Sequence, residues 1–327
     1  MRGLTLIQDT KGRVSYWRIL QWLLVMLIFF FLGRTVWQDW AQVKGASISV
    51  NPFPFIFGTA VFAFSYFIQI GAWYLITLRL GIALSFSETL ENWFTSQLGK
   101  YLPGKVWLVL GRFYFYESKG KSKKMITIAL YLETVMLIVT GALIFFAALL
   151  FLKEIRFVRE RDLWWIFVLF ALVLLSLHPW VLRRLSNWIL ARFKREPISL
   201  PISYPNTLWI LLICLLSWVV GGIGFYFFIH AIYPIAFQHL LFLTGSLAIS
   251  STLGLIALFA PGGLGVREGA LAYLLSFLVP GSVAVILSVL TRIWMTFIEI
   301  GLIGMIYLAG KFRKGFGKNR DDRTERE

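Results

Sequence analysis

The sequence predicts an all-α polytopic membrane protein, and two observations carry that prediction. Of the 327 residues, 58% are apolar and 15% charged, with a mean hydropathy of +0.76, whereas soluble domains hold about 45–50% and about 25%. This excludes a soluble globular domain, and also a disordered chain, which needs low hydrophobicity. The apolar residues are also gathered into runs of spanning length, near 17–37, 54–78, 125–152, 163–182, 207–230, 239–260 and 282–310, with shorter stretches near 93–110 and 268–280. At about 20 residues per span the chain holds roughly eight membrane-inserted segments, leaving no length for a separate soluble catalytic domain.

Charge gives these segments their sides. Lys and Arg outnumber Asp and Glu 32 to 16. In a soluble protein that balance would suggest nucleic acid; here the positive-inside rule accounts for it, and no nucleic-acid partner is expected. The first span, 17–37, follows Arg2, Lys11, Arg13 and Arg18 and precedes a loop with only Lys44, so the N-terminus reads as cytoplasmic. Its apolar run is about 20 residues long and lacks a small-residue cleavage site, so it reads as a retained span, not a signal peptide. Tryptophans near the ends of the runs, among them Trp17, Trp37, Trp164, Trp180 and Trp209, suit the headgroup layer.

The second span, 54–78, returns inward at Arg79, and the next basic cluster, Arg112, Lys119, Lys121, Lys123 and Lys124, also reads as inside. Residues 86–111 therefore leave and enter by one face as a re-entrant segment, broken at Lys100-Tyr101-Leu102-Pro103-Gly104-Lys105. The third span, 125–152, exits to a mixed-charge loop, and 163–182 returns to a basic one with Arg183, Arg184, Arg192, Lys194 and Arg195. Span 207–230 then leads to an outer loop without Lys or Arg. Between that loop and the last span, 282–310, parity allows residues 239–280 to make two crossings or one re-entrant hairpin broken at Pro261-Gly262-Gly263-Leu264-Gly265. The piece 268–280 would give roughly 20 Å of helix against a hydrocarbon core of about 30 Å, which favours the hairpin. The chain then has about six full spans plus two re-entrant broken-helix segments. They divide into two membrane repeats, 1–152 and 153–312, and a charged cytoplasmic tail, 313–327. One repeat begins inside and the other outside, an inverted-topology repeat of the kind transporters use.

Backbone that leaves helical geometry in hydrocarbon exposes polar groups costing several kcal/mol each unless protein or a wet cavity satisfies them. The two breaks therefore imply an interior polar site. The first places Lys100 and Lys105 beside a helix restart; the second places Arg267 and Glu268 beside another, with Gly262, Gly263 and Gly265 allowing close backbone approach. Helix N-termini and adjacent cations suit an anion, and a phosphate is the natural membrane-associated one. Glu133, Arg292 and Glu299 lie inside spans, where a charge costs about 2.5–3.5 kcal/mol even on the lenient scale, so they should face inward and find partners. Arg292 and Glu299 are too far apart along one helix to pair directly, and Glu268, Arg267 or the first re-entrant segment are the alternatives. Gly221, Gly222, Gly224, Gly301 and Gly304 read as helix-packing positions.

Enzyme signatures are missing. The aspartates, Asp9, Asp39, Asp162, Asp321 and Asp322, all fall outside the spans, and none forms a DxD or DDxxD cluster for Mg²⁺. Lys105 and Arg112 match the first element of a lipid-phosphatase signature, but Phe113 replaces its proline and the histidine elements are absent. HExxH and GxSxG are also missing. The single cysteine, Cys214, allows no intramolecular disulfide, and the three histidines share no metal-ligand spacing. No metal, cofactor or catalytic residue is expected.

The segments Gly99-Lys100-Tyr101-Leu102-Pro103-Gly104-Lys105-Val106-Trp107 and Pro261-Gly262-Gly263-Leu264-Gly265-Val266-Arg267-Glu268-Gly269, in that order and spacing, resemble the transmembrane region of lysylphosphatidylglycerol synthases and of related stand-alone flippase-like membrane proteins. The resemblance covers roughly 15–312, and Arg112 and Glu133 fall where that family carries an arginine and a glutamate. Thr134 stands where a further arginine would be expected, which weakens a local ion pair at Glu133. The resemblance implies movement of a phospholipid, or of a lipid-linked amino acid or sugar, between leaflets of the inner membrane. The lipid bilayer and a cytoplasmic or membrane transferase are the further partners expected. The soluble lysyltransferase domain of the bifunctional synthases has no counterpart before the charged tail, so aminoacyl transfer is not expected. Lys100, Tyr101, Pro103, Gly104, Lys105, Arg112, Pro261, Gly262, Gly263, Gly265, Arg267 and Glu268 are the expected contacts to an anionic lipid or lipid-linked phosphate. Glu133, Glu268 and Glu299 would balance charge or meet a cationic headgroup, and Glu133, Arg292 and Glu299 are the charges placed within spans. The alternatives are a non-transporting scaffold or a membrane-embedded transferase accessory in envelope lipid or glycan synthesis.

Overall fold

The computed structural model describes residues 50–101, 106–151, 203–257 and 260–324, with isolated positions between 26 and 37 and between 164 and 187. The predicted spans 17–37 and 163–182 lie outside the continuously described stretches. Among the described residues the chain forms eight α-helices and no strand: α1 (Pro52–Arg79), α2 (Phe86–Gln97), α3 (Val106–Ser118), α4 (Lys123–Phe151), α5 (Tyr204–Ile232), α6 (Leu240–Ile256), α7 (Val266–Leu275) and α8 (Gly281–Thr324). Three 3₁₀ turns, Leu98–Tyr101, Phe237–His239 and Pro261–Gly263, join them.

Local sequence fixes several helix ends. Asn51 caps α1, its side chain accepting from the Phe53 N–H at 3.3 Å, and proline fills the first turn, where a missing N–H costs nothing. Ser85 and Glu88 close a reciprocal capping box on α2. α2 has a low apolar content for a membrane helix and buries Thr89, Asn92 and Ser96 as well as Trp93 and Phe94, so it packs into protein on a partly polar face.

Five helices are long and apolar enough to cross a membrane: Pro52–Arg79, Lys123–Leu149, Tyr204–Ile232, Phe237–Ile256 and Gly281–Leu308. Four coincide with predicted spans 54–78, 125–152, 207–230 and 282–310. The fifth is the first arm of the second broken segment. Its other arm, α7, has 10 residues, about 15 Å of helix and well short of a hydrocarbon core.

In lipid, apolar burial does not drive helices together, so close approach matters more. α1 and α5 touch backbone to backbone: a Cβ on Gly224 would lie 2.6 Å from the Phe62 nitrogen and 2.7 Å from the Gly58 carbonyl oxygen. Gly221 faces Ser65 of α1, and Gly222 faces Thr244 of α6, so these glycines pack as expected. Gly301 and Gly304 do not. Among the described residues a Cβ at either would meet nothing within 4 Å: both are exposed, Gly301 across an open furrow from α1 and α5 and Gly304 outside it. The packing is reciprocal between the halves α1–α4 and α5–α8. α1 packs on α5; α2 packs on α8 as α6 packs on α4; α3 packs on α4 as α7 packs on α8; and the two chain breaks touch. Each half lends the first arm of its broken segment to the last helix of the other.

Candidate functional site

The first break folds back tightly, because Gly99 leaves no side chain where the chain returns: a Cβ there would sit 2.5 Å from the Leu108 nitrogen. The second break needs glycine for conformation as well. Gly262, Gly263 and Gly265 have φ of 58°, 73° and 81°, values that side-chain-bearing residues rarely adopt, and Gly263 lies directly against the Gly254 backbone. Gly262 also marks where the breaks meet, its missing Cβ 3.1 Å from the Lys100 carbonyl oxygen and 3.4 Å from Arg292 Nη2.

Five charged side chains converge at this junction from both halves and α8. Lys100 Nζ pairs with Glu299, whose carboxylate is almost fully buried. Tyr66 of α1 donates its hydroxyl to Glu299 Oε1 at 2.6 Å. Arg292 donates to the Gly262 carbonyl at 3.2 Å and holds Nε 3.6 Å from Glu268 Oε1, an ion-pair distance too long for a hydrogen bond. The pairings expected from sequence for Arg292 and Glu299 thus resolve to Glu268 and to Lys100 of the first broken segment. Arg267 points its guanidinium at the Met295 sulfur, 2.7 Å away, and makes no ion pair among the described residues. Among the described residues three cations stand against two carboxylates in a largely buried cluster, a surplus of one positive charge that an anion would neutralise.

The helix terminus contributes less than the sequence suggests. Glu268 turns its own carboxylate back to accept from the Gly265 N–H at 2.7 Å, so the N-terminus of α7 is already capped by an anion. Attraction for an exogenous one rests on Arg267, Arg292 and Lys100 instead. Glu268 Oε1 is buried with no hydrogen-bond partner among the described residues.

Arg112, expected at a headgroup, lies apart from the junction: it is 1% exposed and pairs with Glu133. Its Nε lies 3.3 Å from Ser96 Oγ, and its guanidinium sits 4.6 Å from the Trp73 ring centre and 5.6 Å from that of Trp93. Trp93 donates its indole N–H to the second Glu133 oxygen at 3.1 Å. The group ties α3 to α4, α2 and α1 as a buried strut with its hydrogen-bonding groups engaged. Glu133 therefore needs no arginine at position 134; its partner comes from α3, and the Thr134 hydroxyl donates to the Leu130 carbonyl.

Tyr101 ends the first 3₁₀ turn and Pro261 opens the third. Pro103, Gly104 and Lys105 lie outside the described residues. Tyr66 and Met295 are site residues the sequence reading missed; a tyrosine in the middle of an apolar span was the available signal for Tyr66, and methionine gave none. Among the described residues no three His, Cys, Asp or Glu side chains come together to hold a metal ion.

Comparison with curated proteins and with solved structures gives no match. The family model described as the lysylphosphatidylglycerol synthase TM region matches residues 18–304.

Proposed function

Since this chain belongs to the lysylphosphatidylglycerol synthase transmembrane-region family and is a multi-pass membrane protein, we propose that it moves an anionic phospholipid, or a lipid-linked phosphate carrying an amino acid or sugar, between leaflets of the inner membrane. The observation that carries this reading is the meeting of the two chain breaks at Lys100 and Gly262, with a surplus cation, Arg267, beside them. Charge of this kind is costly inside a membrane and characteristically marks substrate pathways, and midplane sites formed by discontinuous helices are how many transporters hold substrate. The reciprocal packing of the halves supports an inverted-topology repeat; re-entrance of both broken segments and cytoplasmic termini are taken from the placement of Lys and Arg along the sequence. Lys100 and Arg267 hold the phosphate, Arg292 orients it, and Glu268 and Glu299 keep the empty site near neutrality. Chemistry on the substrate is assigned to a partner transferase.

Purified protein in liposomes carrying fluorescent phosphatidylglycerol in one set and a labelled polyprenyl-phosphate sugar in another tests the proposal. Acceleration of leaflet exchange for at least one, lost in Arg267→Gln, is expected. No acceleration for either with folded protein would overturn it, as would turnover of substrate in detergent, where no leaflets exist.

A further inference from the structure

A second site lies beside the charged cluster on the neighbouring face of α8. At 100° per residue, Arg292, Met295 and Glu299 share one face of this helix and look toward the chain breaks. Ile293, Phe297 and Gly301 share the next, and they border an apolar furrow of about 620 Å³. Thr59 and Ala63 of α1 and Phe228 of α5 form its other walls, and along α8 it runs from Leu290 to Met305, about 22 Å of helix. Among the described residues the lining side chains with a polar group are Thr59 and Trp294, and both groups are occupied: the Thr59 hydroxyl donates to the Phe55 carbonyl at 2.7 Å and accepts from the Trp294 indole N–H at 2.9 Å. Long, narrow and apolar, the furrow offers nothing to a headgroup and matches a hydrocarbon chain in volume and shape.

The two sites are divided by one thin seam. Only two side-chain hydrogen bonds tie α1 to α8 among the described residues, Trp294 to Thr59 and Tyr66 to Glu299. Between them the Phe62 ring packs on both Trp294, at 4.7 Å between centroids, and Tyr66, at 5.6 Å. Glu299 therefore closes the seam from one side while holding Lys100 on the other. We infer that the furrow is the tail site of the same amphiphile whose phosphate occupies the charged cluster, and that the α1–α8 seam is where the lipid passes sideways between bilayer and cluster. This rests on the transport reading for the identity of the amphiphile. The complementarity is specific: an anionic head fits the side with surplus positive charge, and an aliphatic tail fits the side with no free polar group.

The test uses phosphatidylglycerol with a diazirine in its acyl chain, in vesicles containing the full-length protein, with labelled peptides mapped after illumination. Label should concentrate on the Trp294–Met305 stretch and fall several-fold there in Arg267→Gln, while label on the outward residues Leu212 and Leu216 of α5 stays constant. Gly301→Leu places its Cβ in open space and its side chain in the furrow, and should lower both furrow labelling and lipid translocation several-fold. Gly304→Leu, equally open but outside the furrow, should change neither. Furrow labelling that matches α5 and ignores Arg267→Gln means bulk lipid only and overturns the inference. So does an unlabelled furrow, the outcome if residues 17–37 or a second copy of the chain fill it. Arg267-dependent labelling in protein that translocates nothing would sustain the tail site while removing the transport reading.

Discussion

Lys100 and Glu299 form an ion pair between the first chain break and the middle of the last helix, and the Glu299 carboxylate is shared with Tyr66. One carboxylate thus joins α1, the first broken segment and α8. Breaking a buried pair from one side leaves an uncompensated charge and costs about 3–5 kcal/mol, whereas removing both partners costs much less. Glu299→Gln should therefore lower thermal stability in detergent more than Lys100→Met with Glu299→Met together. Equal losses from the single and double changes would show that the pair is not energetically coupled.

Arg112 and Lys100 should separate by phenotype. Arg112 pairs with Glu133 and lies between two tryptophan rings in full burial, a site whose planar fork lysine cannot reproduce. Arg112→Lys should destabilise the protein by about 2–4 kcal/mol, between a lost cap and a broken buried pair. The lipid concentration giving half-maximal exchange should stay unchanged. Lys100→Gln should raise that concentration. A raised half-maximal concentration in Arg112→Lys would return Arg112 to the headgroup.

The backbone contact between α1 and α5 makes Gly224 intolerant. A methyl group there meets the Phe62 nitrogen and the Gly58 carbonyl, neither of which can move without separating the helices. Gly224→Ala should cost about 1–3 kcal/mol, the usual range for overpacking, while Gly304→Ala, in open space, should be neutral or slightly stabilising through helix propensity. Melting temperatures of the two variants decide it.

Outside the spanning segments, Glu88 is held well below the usual carboxylate range, lowered to about 2. The Lys119 ammonium, 2.7 Å away, is the main cause, followed by the Ser85 hydroxyl and N–H. A depressed carboxylate stabilises the fold above its unfolded value of 4.5 and loses that contribution as pH falls from there toward 2. Lys119→Met should raise the carboxyl pKa measured by NMR on glutamate-labelled protein, and by more than Ser85→Ala does. An unchanged titration in Lys119→Met would show that the capping box alone sets it.

The membrane class, four of the spans and the two breaks are legible in the sequence because each depends on local properties: hydropathy over about 20 residues, or glycine and proline inside an apolar run. The positions of the site residues Lys100, Arg267, Glu268 and Glu299 are legible for a related reason, since a charge within an apolar segment stands out against its neighbours. Their partners are not. Glu299 could as readily have taken Arg267 as Lys100 by sequence alone, and Arg112 looked like a free cation until Glu133, Trp73 and Trp93 enclosed it. Gly301 and Gly224 look alike in sequence, yet one faces an open furrow and the other a neighbouring backbone.

By itself, then, the sequence determined that the chain is helical, lies in a membrane, interrupts its helices twice and carries charge into the apolar region. These follow from solvation, which each residue obeys wherever it ends up. Tertiary structure decided which charges cancel, which one is left over, and which apolar surface remains uncovered. Those are properties of pairs and surfaces brought together by packing: Lys100 meets Gly262 and Glu299 only when the two halves exchange arms, and the furrow exists only because α1 and α8 meet at a seam instead of along their length.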